Sequence, residues 1–435
     1  MANSRSIHGI PPDHATFAAW PPCRFRHDKP PMVAFGRTHP YRRRTSVVDD
    51  WNATTLGRFT STRRQVDWIA QNPASCDHAW PQVSSPYRRQ SSDMSTLRYD
   101  VTTNDWVIVA PSRARRPIEQ PLRNTVSPKT AVQSCPFCPG NERMTPPEID
   151  AVRPGSNLNA DDWRVRVIPN LFPALQIEEN PDSRTESSSF FRYRGGCGAH
   201  EVFIESPHHE LALGDQPPDQ IVLLFQMLQR RYNDLLRDPR FQAILIFKNH
   251  GEWAGTSMHH PHCQLIATPV VPRQSRQKFT IAEEYYDRTG VGLYSRLLEE
   301  ELNEQTRVLA VNEGFAAVLP YASHVPFETW ILPRTQQSSF GSVPSSQLPA
   351  LAEILKRALR AIHAGLDNPS FNMTIDTAPR GDESKPWFLW HIQILPRLTR
   401  RSGFELGSGM PINTVLPEDA ASFLRDVDRA NAIGD

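Results

Sequence analysis

His259-His260-Pro261-His262-Cys263-Gln264, running directly into the apolar Leu265-Ile266-Ala267, decides the reading of this chain. A histidine that leaves a proline turn and enters a β-like segment is held at the mouth of a strand. Imidazole placed there can attack phosphorus, because it is nucleophilic when neutral near pH 7 and departs readily once phosphorylated. On an extended chain His260, two positions earlier, points the same way as His262 and can ligate a metal beside it. A histidine-rich surface loop is the alternative for this run taken alone.

Cys135-Pro136-Phe137-Cys138, followed by Pro139-Gly140-Asn141-Glu142, is a C-x-x-C knuckle in a proline/glycine turn. Two thiolates at that spacing suit zinc, which then needs two more ligands. A thioredoxin-type redox pair is the rival, but no βαβ pattern surrounds the motif. Histidines downstream in a cysteine-poor chain favour the metal.

The chain has 435 residues, more than one ordinary domain, so one large unit or two fused ones are expected. A formal net charge of +1 argues against nucleic-acid binding through bulk charge. The 6 cysteines (23, 76, 135, 138, 197 and 263) are too few for a secreted disulfide framework of this length. No apolar run approaches the ~18 residues of a membrane span. A soluble protein of a reducing, cytoplasmic compartment is expected.

Residues 1–93 are rich in Pro, Arg and Ser, with clusters such as Pro30-Pro31 and Arg42-Arg43-Arg44, and lack sustained periodicity. They read as a disordered extension, or as sequence upstream of a start at Met94. From Met94 onward strands and helices mix. Asn104-Asp105 sits between two β-like runs and predicts a hairpin turn. His200 to Glu205 and Phe241 to Phe247 read as strands. Pro217-Pro218 opens a helical pattern from Ile221 to about Leu236. A later helix spans about Ser346 to Leu366, with serine at its head and Asp367-Asn368-Pro369 stopping it.

A faint repeat connects these pieces. His262-Cys263-Gln264-Leu265-Ile266-Ala267-Thr268-Pro269 is echoed by His391-Ile392-Gln393-Ile394-Leu395-Pro396. Upstream of each lies a related strand, Glu201 to Pro207 and Phe327 to Pro333. Strand, helix, strand and an H-x-Q strand therefore occur twice, which predicts a duplicated α+β unit built on an antiparallel sheet with helices packed on it. The expected division is a catalytic half over 94–273 and a degenerate half over 274–435, since only the first copy carries paired histidines.

With these residues the chain resembles the galactose-1-phosphate uridylyltransferase family, a branch of the histidine-triad superfamily, over roughly residues 94 to 430. The CPFCPGNE turn and the HPHCQ run carry the likeness, supported by Pro111 to Pro117, Asn170 to Leu175, and Phe247-Lys248-Asn249 with Gly251. The resemblance implies a ping-pong nucleotidyltransferase in which His262 is the nucleophile and Gln264 hydrogen-bonds the phosphoryl oxygens of a nucleotidyl-histidine. It implies that Asn249 and Ser257 hold the α-phosphate and ribose, and that Asn170 lies near the nucleoside. Arg113 and Arg116 would contact the phosphate of the sugar ligand, a task that suits forked guanidinium donors. It implies one structural zinc on Cys135, Cys138, His209 and His260, with His208 as the alternative to His209. The implied partners are a nucleotide sugar and a sugar 1-phosphate, with no nucleic acid and no membrane, in a homodimer.

The sequence departs from the family pattern in three places. Lys278 falls where a Glu of a second metal site belongs, and Asp376 and Gln393 stand at its His positions, leaving His391. A branch with a second C-x-x-C is also not matched, because Gly292-Leu293-Tyr294-Ser295 stands there. A second metal is accordingly expected to be missing. The tail Gly403 to Gly409 looks closer to the branch that includes ADP-glucose phosphorylase. The leading expectation is transfer of UMP from UDP-glucose to galactose 1-phosphate. The alternatives are an ADP-glucose phosphorylase of the same fold, a histidine-triad hydrolase with water as acceptor, and a zinc-binding module without activity.

Overall fold

The structure, a computed structural model, describes residues 94–115, 132–155, 157–182, 190–191 and 193–434. The extension over 1–93 and Arg116 lie outside the described residues. Among the described residues, thirteen strands form two sheets. The smaller joins β1 (Thr96–Asp100), β2 (Asp105–Val109) and β13 (Ile412–Asn413). Asn104 takes the left-handed conformation at φ 54° in the β1–β2 turn, where the sequence places a hairpin.

The larger sheet has ten strands in the order β3-β4-β5-β7-β6-β11-β12-β10-β9-β8. Its first half holds β3 (Asp150–Val152), β4 (Val165–Pro169), β5 (Ala199–Ile204), β6 (Ala243–His250) and β7 (His262–Thr268). The second holds β8 (Val308–Val311), β9 (Phe315–Val318), β10 (Thr329–Pro333), β11 (Phe371–Asp376) and β12 (His391–Pro396). All neighbours within this sheet run antiparallel.

The register exposes the duplication. Across the middle of the sheet Val202 faces Gln264, Gln264 faces Phe247, Phe247 faces Thr374, Thr374 faces Gln393, and Gln393 faces Trp330. The glutamines of the two H-x-Q strands thus occupy one row, each one strand out from the central β6–β11 pair. His262 falls on one side of that row and His391 on the other, as a two-fold relation requires.

Strand periodicity sorts side chains between the faces. Cys263, Leu265 and Ala267 of β7, with Ile392 and Ile394 of β12, enter the main core. That core is closed by α1 (Pro218–Leu236) and α4 (Leu348–Gly365), which also pack on each other. Their buried residues, Ile221, Leu224, Phe225, Leu228, Tyr232 and Leu235 in α1 and Leu348, Leu351, Leu355, Leu359 and Ile362 in α4, recur at helical spacing. Each large aliphatic side chain so buried contributes about 1.5–3 kcal/mol. The predicted serine head of α4 is not its cap. Ser346 belongs to a preceding 3-10 turn, and Gln347 stands at the cap without a side-chain capping bond.

In the second half the opposite face is covered by α2 (Arg273–Thr289) and α3 (Leu293–Glu304), whose Phe279, Leu293, Tyr294 and Leu298 pack with Val318, Trp330 and Leu332. Two further helices follow toward the C-terminus, the short α5 (Gly403–Ser408) and α6 (Pro417–Gly434). Among the described residues no helix is long and apolar enough to cross a membrane.

Candidate active site and metal centre

His262 opens β7 on the face away from the main core, and it is buried. Its Nδ1 lies 2.9 Å from the carbonyl oxygen of His260. A carbonyl only accepts, so Nδ1 carries the proton and Nε2 keeps its lone pair. Burial first, and then the Lys248 charge, lower the His262 pKa below its ordinary value. The ring is therefore neutral and presents a nucleophilic nitrogen of fixed tautomer. Phe137, from the cysteine turn, packs edge-on against it with ring centroids 5.4 Å apart.

Gln264 follows on the same face and is oriented by a residue that the sequence marks only as part of a strand. His200 of β5 accepts the Ala174 N–H at Nδ1, 3.1 Å. Its proton thus sits on Nε2, which donates to Gln264 Oε1 at 2.8 Å. Asn170 Nδ2 lies 3.4 Å from the same oxygen. With its oxygen held from two directions, Gln264 has its NH2 group as the free end among the described residues, the end able to donate to an anionic oxygen. Asn249 of β6 accepts from Asn372 Nδ2 of β11 at 2.8 Å, so a residue of the second half orients one of the first. Beyond it Gly251, at φ 80°, turns the chain where a Cβ would collide with Ser370.

The remaining substrate-binding expectations divide. Ser257 is exposed in the loop before His260. Arg113 is exposed on a 3-10 turn (Pro111–Arg115) after β2, in the smaller sheet. No hydrogen bond or ion pair brings it to the His262 group among the described residues.

Cys135, Cys138, His209 and His260 are all buried, and their ligand atoms lie within 4.8 Å of one another. Cys138 Sγ is 3.2 Å from His209 Nδ1 and 3.5 Å from His260 Nδ1. Cys135 Sγ is 3.8 Å from His260 Nδ1. His260 donates from Nε2 to the Ser206 carbonyl at 2.8 Å, which turns the Nδ1 lone pair onto the sulfurs. That is the outer-shell arrangement of a metal-bound imidazole. Burial first, then the neighbouring Cys135 thiol, push the Cys138 thiol up to about 12. Two thiolates this close need a cation between them, and the donor set fits a tetrahedral metal ion. His209 makes the contact, whereas His208 is exposed. The tight turn is supported by Asn141, whose amide donates to the Cys135 carbonyl at 2.8 Å. All four described cysteines are free of disulfides.

The second half repeats the strand and replaces the chemistry. His391 is fully buried between Tyr294 and Trp330, with ring centroids 5.0 and 4.9 Å away. Gln393 Nε2 and Asp376 Oδ2 lie 3.2 and 3.4 Å from its Nε2. Lys278 of α2 meets Asp376 at 2.5 Å. The aromatic sandwich leaves this imidazole no open face.

The fold and this site define a class: an α+β protein with a duplicated strand unit in an antiparallel sheet, in which, among the described residues, a buried Cys2His2 cluster adjoins the strand that His262 opens. A family model for the N-terminal domain of galactose-1-phosphate uridyl transferase matches residues 86–272. An ADP-glucose phosphorylase of Arabidopsis thaliana is 36% identical over 76% of this chain and 92% of its own length. The chain belongs to the galactose-1-phosphate uridylyltransferase family. The uridylyltransferase of Saccharomyces cerevisiae is 29% identical over 78% of this chain and 95% of its own. Among solved structures, an Arabidopsis thaliana ADP-glucose phosphorylase with bound ADP-glucose superposes with a TM-score of 0.65 at 33% identity, covering 76% of this chain and 99% of that one.

Proposed function

We propose that this protein is a nucleotidyltransferase that works through a covalent nucleotidyl-histidine on His262. The observation that carries the reading is the His262 ring: neutral, fixed through Nδ1 and presenting Nε2 beside the oriented amide of Gln264. In the first half-reaction Nε2 attacks the α-phosphorus of a nucleotide sugar. The N–P bond forms as the bond to the bridging oxygen breaks, and the sugar 1-phosphate leaves with that electron pair. In the second, an oxygen of the acceptor phosphate attacks the same phosphorus and the N–P bond breaks, returning neutral His262. Such transfer asks the protein mainly for positioning and charge stabilisation, tasks that fall to Gln264, Asn249 and Ser257. Asn170 would stand near the nucleoside, and Arg113 and Arg116 would contact the sugar-linked phosphate.

The substrate pair we favour is UDP-glucose and galactose 1-phosphate, the chemistry named for the uridylyltransferases of this family. The 36% identity to a phosphorylase supports a second reading, in which AMP is taken from ADP-glucose and passed to inorganic phosphate. Incubating the protein with UDP-glucose or ADP-glucose and weighing it intact separates them, since the added mass names the nucleotide. No adduct with either sugar nucleotide, or an adduct retained in a His262→Asn variant, overturns the mechanism.

Zinc is the metal proposed for Cys135, Cys138, His209 and His260; when bound it would tie the cysteine turn to the loop leading into His262. Residues 94–273 and 274–435 are proposed as the active and degenerate halves. A reducing, cytoplasmic compartment is proposed from the low cysteine count of a chain this long. The exposed Leu171 and Phe172, 62% and 85% accessible, are surface of the kind a homodimer would cover.

A further inference from the structure

Beneath the His262 strand lies a buried ion pair that the chemistry above does not use. Lys248 of β6 and Glu205, at the end of β5, have side chains 1% and 0% exposed and meet at 2.6 Å, Nζ to Oε1. The buried Cys263 thiol donates to the same carboxylate oxygen at 2.9 Å. Lys248 Nζ also donates to the main-chain carbonyl of His262, at 3.3 Å. The Glu205 main chain joins in, its N–H donating to the Pro261 carbonyl at 3.3 Å and its own carbonyl accepting from Gln220 at 2.7 Å. The ammonium and the carboxylate thus hold the chain at residues 262 and 263, and the Glu205 main chain holds it at 261, across three adjacent strands.

An ion pair in a core is a poor way to gain stability, since desolvation offsets much of the attraction and apolar residues of like volume hold a core at least as well. The neighbouring positions facing the same core, Ile246 on β6 and Leu265 on β7, are apolar. Among the described residues Glu205 Oε2 is left without a partner, a further cost that packing alone does not explain. What the pair does and an apolar pair could not is hold the peptide of His262 by a directed, charge-assisted bond. The imidazole is held in turn by the peptide of His260. Backbone and ring are then both fixed, and the line of Nε2 with them.

We propose that Lys248 and Glu205 are positioning residues that hold His262 in line for attack on phosphorus, acting from the opposite face of the sheet through the main chain of β7. The proposal rests on His262 being the nucleophile.

The test uses the full-length protein and rapid-quench mass measurement of the covalent adduct with UDP-glucose and with ADP-glucose. The parent is run first: absence of any adduct refutes the proposed function itself, separately from this inference. The double variant Lys248→Met/Glu205→Leu removes both charges, so its Tm should stay near that of the parent. Its rate of adduct formation should fall about tenfold or more while the KM for the sugar nucleotide changes less than about twofold, because alignment is lost and binding is not. A parental rate at a parental Tm overturns the proposal. Should the double variant not fold, Lys248→Gln carries the same comparison, since its shorter, uncharged side chain cannot bridge Glu205 and the His262 carbonyl. The same rate loss is expected, and a parental rate again refutes the idea.

Discussion

Replacing His200 by alanine probes the site most sharply, because His200 touches no proposed reacting atom and reaches the site through Gln264 and through Asn170, whose Nδ2 lies 3.1 Å from its Nε2. The substitution removes two hydrogen bonds, the donor to Gln264 Oε1 at 2.8 Å and the acceptor of the Ala174 N–H at 3.1 Å. At about 0.5–1.5 kcal/mol net per bond, stability should fall by about 1–3 kcal/mol. The Ala174 N–H lies in an exposed turn where water can replace the ring, so the lower half of that range is expected. The catalytic effect should be larger. Freed of its stronger anchor, the Gln264 amide can rotate and present its oxygen to an anionic phosphoryl group instead of its NH2. Deleting a donor to a developing oxyanion costs about 100–1000-fold in kcat, and loosening one should cost about 10–100-fold. Single-turnover adduct formation and steady-state kcat and KM would measure it, with circular dichroism melts as the stability control. A His200→Ala protein that keeps kcat within about threefold of the parent would refute the claim that this pair orients Gln264 for catalysis.

Three further outcomes are expected. His262→Asn or His262→Gly should abolish nucleotidyl transfer and adduct formation with the fold intact, since a covalent pathway without its nucleophile has no slower version; circular dichroism and intact mass check both halves of that statement. Cys135→Ser should lose about one bound zinc ion per chain by elemental analysis and melt at lower temperature, and an unchanged metal content would remove Cys135 from the ligand set. Asp100 is buried, which raises its pKa, yet the His324 hydrogen bond and charge with Thr102 outweigh this and hold it at about 2, against an ordinary 3.8. A carboxylate so lowered stabilises the fold above its ordinary value and loses that contribution as pH falls through about 2. The shift corresponds to about 2 kcal/mol. Asp100→Asn should therefore be less stable than the parent by about that much at pH 5, with the gap closing toward pH 2; a gap independent of pH in urea titrations would contradict the assignment.

The chemistry-bearing residues were legible because they lie close together in the chain. The C-x-x-C knuckle and the H-P-H-C-Q run are local patterns whose spacing already points to a ligand pair and a histidine at a strand mouth, and the structure brings both motifs into one buried group. The duplication was legible too, since H-x-Q recurs with a related strand before it, and the sheet places both glutamines in one row. Helices α1 and α4 announced themselves by apolar periodicity. The choice of His209 over His208 came from the family resemblance and not from periodicity, because adjacent residues in a loop carry no period to sort them.

What tertiary structure alone decided is which distant residues become partners. His200 orients Gln264 because β5 pairs with β7, and Lys248 meets Glu205 because β6 lies on the other side of β7. Asn372 reaches Asn249 only across the β6–β11 seam between the halves. Register is a long-range property, settled when the whole sheet buries its apolar face, so no window of sequence contains it. The fate of the second H-x-Q strand has the same origin. The sequence marks the His391 half as degenerate because it lacks a paired histidine, and it is the packing of Tyr294 and Trp330 on either side of its ring that closes His391 off. Local pattern, which acts over a few bonds, named the candidate groups; the burial of one sheet between its helices decided which distant residues became their partners.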